Sequence, residues 1–240
     1  MFNLVIDVGN TRTKLAFFLK GKLFGQVRVV NNASPRGLQQ FIGKKDISGV
    51  CVSVVGKRPA KALSWLKANY PLTELTHKTQ IPIKNRYKTP KTLGKDRLAV
   101  AIAAWGLFPG KPSLIFDAGT CITYDFVNSK GEYLGGGISP GLQTRLKAMD
   151  TFTANLPLAR FYSQASWLGK TTDQSLRAGA QWGLVHEVDG FIRQYRKAYP
   201  GLKVLGTGGD AQYLAKHLKT KIFVLPNLVL QGLNQILIQI

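Results

Sequence analysis

The chain has 240 residues, enough to bury a proper core either as one domain or as two small ones packed together. Its 33 Lys and Arg against 12 Asp and Glu leave a net charge of +21, which suits a polyanionic partner such as nucleic acid, an anionic membrane surface or phosphorylated small molecules. The longest apolar run, Leu98 to Phe108, is too short to span a bilayer.

Cys51 and Cys121 sit in apolar strand-like runs, which suits reduced, packed thiols better than a disulfide framework. The opening MFNLVIDVGN has no basic leader before its apolar run and no small-residue cleavage site, so it is not expected to act as a signal peptide. The expected compartment is the cytoplasm, where the sequon Asn32-Ala33-Ser34 carries no meaning.

In chain order, the first element is an apolar strand in LVIDVGNTRTKLAFF (4–18), interrupted at Asp7 and followed by a polar turn at Gly9, Asn10 and Thr11. A buried lone carboxylate is costly, so something must compensate it. Sliding the chain by 110 residues lays DVGNTRTKLAFFLKGKLFG (7–25) on DAGTCITYDFVNSKGEYLG (117–135) without a gap, with six of nineteen positions identical. They are Asp7/Asp117, Gly9/Gly119, Thr13/Thr123, Lys20/Lys130, Gly21/Gly131 and Gly25/Gly135; ordinary residue usage predicts about one.

Each copy reads as a strand ending in Asp, a polar turn, then two strands joined at a glycine that supplies the positive φ of a hairpin turn. After the first copy come a helix starting at Ser34-Pro35, a strand at 50–55, a helix over 58–70 and a short strand near 72–75. After the second come a helix from Pro140, a long helix over 173–199, a strand at 203–205, a helix at 211–218, a strand at 222–225 and a closing helix. The expected fold is α/β, two mixed-sheet halves of βββαβα outline, divided near Pro109–Pro112 into 1–111 and 112–240.

Two related halves that end their first strands in Asp-x-Gly are expected to face each other across a cleft. Glycines there let backbone N–H groups approach phosphate oxygens, while carboxylates fix Mg²⁺ through water, so a cation would compensate Asp7. The bland alternative is a strand end with an Asx turn.

A third glycine cluster, KVLGTGGDA (203–211), nominally fits a dinucleotide fingerprint, but no acid follows Asp210 to hold a ribose. GKTT (169–172) fails as a P-loop because residue 164 is Gln. His77, His186 and His217 are scattered and suggest no zinc or haem site.

The stretch 81–105 crowds Lys84, Arg86, Lys88, Lys91, Lys95 and Arg97 around Tyr87, with Asp96 just before an apolar helix. Three readings apply: a solvated basic loop capped by Asp at a helix N-terminus, a nucleic-acid patch, or an anionic-substrate pocket in which Arg97 grips a carboxylate and Asp96 takes a proton.

Taken together, Asp7-x-Gly9-Asn10-Thr11, Gly94-x-Asp96-Arg97, Asp117-x-Gly119-Thr120 with Thr123 and Asp125, Gly135–Gly141 and Gly206–Gly209 resemble, in order, the motifs of type III pantothenate kinase. The resemblance runs nearly the whole chain. It implies two ribonuclease-H-like domains of the actin-like ATPase and sugar kinase superfamily, usually in a homodimer. It also implies ATP-dependent phosphorylation of pantothenate, the first step of coenzyme A synthesis, with Mg²⁺ and a monovalent cation, K⁺ or NH₄⁺.

By the same resemblance, Asp7, Val8, Gly9, Asn10, Thr11, Arg12, Thr13 and Lys14 match the phosphate-binding motif, Asp117 the monovalent-cation acid and Thr120 an ATP contact. Tyr87, Gly94, Lys95, Asp96, Arg97 and Thr172 match the pantothenate pocket, with Asp96 the catalytic base. Asp7 would hold hydrated Mg²⁺. Cys121 stands where many members have alanine, and 156–170 matches no motif. The alternatives are an actin-like kinase for another hydroxylated molecule and a regulatory relative that binds nucleic acid, which the basic excess fits.

Overall fold

The computed structural model describes residues 1–239. The elements of the first half are β1 (Phe2–Val8), β2 (Thr13–Leu19), β3 (Lys22–Val30), α1 (Pro35–Ile42), β4 (Ile47–Val54), α2 (Ala60–Asn69), β5 (Leu72–Glu74), β6 (Lys84–Asn85) and α3 (Lys95–Leu107). They continue with β7 (Ser113–Ala118), β8 (Cys121–Val127), β9 (Glu132–Pro140), α4 (Leu142–Thr151), α5 (Thr172–Arg177), a π-helical turn (Ala178–Trp182) and α6 (Gly183–Ala198). β10 (Lys203–Thr207), α7 (Ala211–His217), β11 (Phe223–Val224) and α8 (Leu228–Gln239) follow.

The duplication is visible in the strand order. The first sheet runs β3-β2-β1-β4-β5 and the second β6-β9-β8-β7-β10-β11, so all five strands of the first have counterparts in the second, where β6 adds a sixth beside β9. β1 is antiparallel to β2 and parallel to β4, as β7 is antiparallel to β8 and parallel to β10. The central strands are apolar on both faces: Leu4, Val5 and Ile6, like Leu114, Ile115 and Phe116, are essentially unexposed. Helices then cover the sheets, with Leu38 and Leu66 closing the first core and Leu146, Leu184 and Leu214 the second.

The hairpin glycines do what their spacing predicts. Lys20 and Gly21 both have positive φ (49° and 78°), the twist a two-residue turn needs. Gly25 (φ 69°) lies in the interval between Phe17↔Phe24 and Leu15↔Arg28 where the ladder shifts register, a bulge that bends the edge strand.

The chain divides into two compact units: Met1–Pro109 with Gly131–Tyr133 and Asn227–Ile240, and Gly110–Lys130 with Leu134–Pro226. The closing helix therefore departs from the expected 112–240 half. The reason lies in α3, where every residue from Arg97 to Ala104 is buried, so the helix needs cover on all sides. α8 supplies one side, packed so closely that a Cβ on Gly232 would collide with the Ala99 backbone.

The helical run expected over 173–199 is continuous but contains the π turn. That turn directs Gln181 into the second core, where its Nε2 donates to the Tyr162 carbonyl (2.9 Å) and Tyr213 hydroxyl (3.0 Å) and its Oε1 accepts from Tyr162 N. Among the described residues no helix is long and apolar enough to cross a membrane.

Candidate active site

In the first unit β1 delivers Asp7 to the head of a tight turn. Gly9 N donates to Arg12 O (3.0 Å), and the Val8 carbonyl accepts from Val55 N (2.9 Å) and Gly56 N (3.0 Å). A Cβ on Gly56 would collide with the Gly9 carbonyl, so two strand ends meet through glycine. Asn10, Thr11 and Arg12 are exposed, Lys14 and Asp7 are half-buried, and Val8 and Thr13 are buried.

The register pairs Asp7 with Lys14 on β2 and Ser53 on β4, which puts all three side chains on one face. Ser53 is fully buried and its Oγ has no hydrogen-bond partner. A buried hydroxyl left in that state costs about 1–3 kcal/mol, and its natural complement is water or a hydrated cation. The donor set beside Asp7 thus fits hydrated Mg²⁺, whose ligands are oxygens.

The second unit repeats the device with a shorter turn. Gly119 N donates to Cys121 O (3.0 Å), and Asp117 pairs with Thr123 on β8 and Thr207 on β10. Thr13 pairs with Val8 whereas Thr123 pairs with Asp117, so the gapless alignment hides a one-residue shift. Thr123 shares the face of Asp117, while Thr13 lies on the face opposite Asp7. Asp125, fully buried, accepts from Thr123 Oγ1 (3.1 Å).

Two further segments clasp this turn. The Thr120 carbonyl accepts from Gly141 N (3.1 Å) and Thr144 Oγ1 (2.5 Å) at the start of α4. Ala118 O accepts from Asp210 N (3.1 Å), and Gly208 (φ 92°) lies against Asp117. Burial raises the Asp210 carboxyl above its ordinary value. Cys121 opens β8 beside Thr120 and is exposed, contrary to the packed thiol expected; Cys51 in β4 is buried.

Back in the first unit, the start of α3 gathers the residues expected to hold an anionic acceptor. Gly94, not Asp96, takes the N-cap position. Asp96 instead sits in the first turn, with its Oδ1 accepting from Arg97 N (2.8 Å). A Cβ on Gly94 would lie 2.5 Å from that oxygen, so glycine makes the room.

Arg97 is 5% exposed and its guanidinium carbon stands 5.8 Å from the Tyr87 ring centroid. Lys95 folds back to the Leu93 carbonyl (2.8 Å). The structure thus brings Tyr87, Gly94, Asp96 and Arg97 together.

Thr172 belongs to the second unit, as the exposed first residue of α5, next to the capping Thr171. The unmatched 156–170 stretch contributes to a cavity of about 320 Å³ lined by Tyr162, Ser166, Leu168, Lys170 and Arg177 among others. Sequence reasoning passed over Ser53 and the Arg145–Glu187 pair. The signal for Ser53 was a lone hydroxyl in the apolar run VCVSVV (50–55).

The sequence pattern of the type III pantothenate kinases matches residues 3–194. The chain is 43% identical over 236 residues to a type III pantothenate kinase of Bacteroides fragilis (98% of this chain, 97% of the relative). It is 34% identical over 240 residues to that of Porphyromonas gingivalis (98% of each).

Among solved structures, the fold is shared with a Campylobacter jejuni protein assigned to a Baf family of transcriptional activators (22% identity, TM-score 0.63, 98% of each chain). It is also shared with a ROK hexokinase of Thermus thermophilus (14% identity, TM-score 0.55, 98% of each chain). Two units of equivalent strand order, each with an Asp-x-Gly turn, together with relatives matched over almost their whole length, show that this chain belongs to the type III pantothenate kinase family.

Proposed function

We propose that the chain transfers the γ-phosphoryl group of ATP to pantothenate, giving 4′-phosphopantothenate, the first step of coenzyme A biosynthesis. The observation that carries this reading is the cluster at the start of α3, where a buried Arg97 and the adjacent Asp96 lie beside Tyr87.

Backbone and side-chain donors of Asp7–Lys14 hold phosphate oxygens of ATP, and Thr120 makes a further contact to it. Bound Mg²⁺ supplies charge neutralisation to those phosphates. Asp7, with the Ser53 hydroxyl beside it, orients the cation's hydration shell, and Asp117 holds a monovalent cation, K⁺ or NH₄⁺.

Arg97 fixes the pantothenate carboxylate, and Tyr87, Gly94 and Lys95 line its pocket. Held in this way, the primary alcohol gives its proton to Asp96 as the phosphoryl group departs from ADP. The protein acts as a cytoplasmic homodimer.

The test is an assay coupled to ADP release, with pantothenate and with other hydroxylated acids and sugars, each with K⁺ present and omitted. ADP release that requires pantothenate and is enhanced by K⁺ supports the reading. Release with a different acceptor only, or none at all alongside salt-sensitive DNA retention, would sink it.

A further inference from the structure

Within the second unit a cluster of titratable groups stands outside the site just described. The Glu187 carboxylate, on α6, accepts from Tyr124 Oη (2.9 Å) on β8 and from Ser139 Oγ (3.1 Å) near the end of β9. The Arg145 guanidinium, on α4, pairs with the same carboxylate. It also donates through Nη2 to Ser139 Oγ (3.0 Å) and through Nε to the Pro140 carbonyl (2.8 Å). Arg145 and Glu187 are about four-fifths buried (21% and 23% exposed side chains). Tyr124 stacks on Phe191 with ring centroids 4.0 Å apart. Burial, then the Glu187 carboxylate, pushes the Tyr124 phenol well above its usual range, so it remains the donor.

What this network holds is the segment 139–141. That segment leads into α4, whose first turn grips the Thr120 carbonyl through Gly141 N and Thr144 Oγ1. A Cβ on Gly141 would collide with the Gly119 carbonyl, so glycine is what lets the two backbones meet this closely.

We infer that Arg145 and Glu187 are positioning residues for ATP: they lock Ser139–Gly141 onto the Gly119–Thr120 turn and so set the orientation of the Thr120 contact. The inference rests on the reading of Thr120 given under Proposed function. An ion pair used only for stability would be expected to give way to apolar packing at little cost. Here Arg145 and Glu187 together make three hydrogen bonds to Ser139 and Pro140, and the charge-assisted, multidentate geometry confers direction.

The experiment measures ATP affinity by calorimetric titration with Mg²⁺ and no acceptor, and KM for ATP and for pantothenate separately. It uses the full chain and Glu187→Gln, Arg145→Lys and the milder Ser139→Ala. Val188→Ala, a fully buried neighbour on α6, is the packing control. Expected are an affinity loss and a rise in ATP KM of about tenfold for the two charge variants, the scale of one charge-assisted hydrogen bond, with pantothenate KM unchanged. Ser139→Ala lies between them and the wild type, and Val188→Ala lowers the melting temperature without the split. Unchanged ATP affinity in these variants, or both KM values moving together as stability falls, would overturn the inference while leaving the kinase reading intact. A wild type that binds no ATP would overturn both.

Discussion

Gly208 lies against Asp117: a Cβ on that glycine would stand 2.5 Å from Asp117 Oδ1, and its φ is 92°, where L side chains are strained. The first unit has a matching contact, Gly56 against the Gly9 carbonyl. In both, the end of the fourth strand presses on the acidic turn through a residue that has no side chain to displace it. Gly208→Ala should therefore cost about 1–3 kcal/mol in urea denaturation. On the monovalent-cation role proposed for Asp117, its displacement should also abolish any stimulation by K⁺, read as rate against KCl concentration.

Asp96→Asn keeps a carbonyl oxygen for Arg97 N but removes the carboxylate proposed as the proton acceptor. Turnover should fall by about 10²–10⁴-fold with ATP KM little changed. Arg97→Lys loses the planar fork and its place over Tyr87, so pantothenate KM should rise by about tenfold, an effect steady-state kinetics would show as a split from the first variant. Normal turnover in Asp96→Asn would remove it from the base role.

The two thiols should react very differently. Burial pushes Cys51 up to about 12, whereas Cys121 is exposed beside Thr120. At pH 8 an aromatic disulfide reagent should titrate one thiol in the native protein and two in denaturant. Modification of Cys121 should weaken ATP binding, and Mg²⁺-ATP present during the reaction should slow it. Two fast thiols in the native protein would contradict this placement.

Arg58 grips Glu74 through both guanidinium nitrogens (2.5 and 2.8 Å), and that hydrogen-bonded pairing holds the Glu74 carboxyl below its usual value. A depressed carboxylate contributes stability that is present above its unfolded pKa and is lost as pH falls through the folded one. Because Arg58 is more than half exposed, the contribution is small, under about 1 kcal/mol. Arg58→Ala should lower stability slightly at pH 7 and not at all once pH is below Glu74's depressed value, as chemical denaturation at a series of pH values would reveal. A constant difference across the series would mean that Arg58 acts through packing.

Strand ends, hairpin turns and both acidic turns were legible in the chain because they are local. Glycine's positive φ at Gly21 and Gly131, the Ser34-Pro35 start of α1 with Gly37 N donating to Ser34 Oγ, and the apolar runs of β1 and β7 each rest on a few adjacent residues. The candidate acceptor residues were legible for the same reason, since Gly94–Arg97 are contiguous. What was not legible were the partners. Nothing local in LVLQGLNQIL (228–237) says that it covers α3, and nothing in GLVHEVDGF (183–191) says that its one Glu meets Arg145.

The duplicated turns show where the division falls. Residue identity alone established that Asp7 and Asp117 close equivalent strands, because repetition of an acid and a glycine at fixed spacing survives any packing. Whether Thr13 matches Thr123 was decided only by strand pairing, which places one opposite Val8 and the other opposite Asp117. Side chains alternate faces with every residue of a strand, so a single-residue change in turn length reverses which hydroxyl stands beside the carboxylate. That parity belongs to the hydrogen-bonded ladder between two strands, and a comparison of letters along one strand does not contain it.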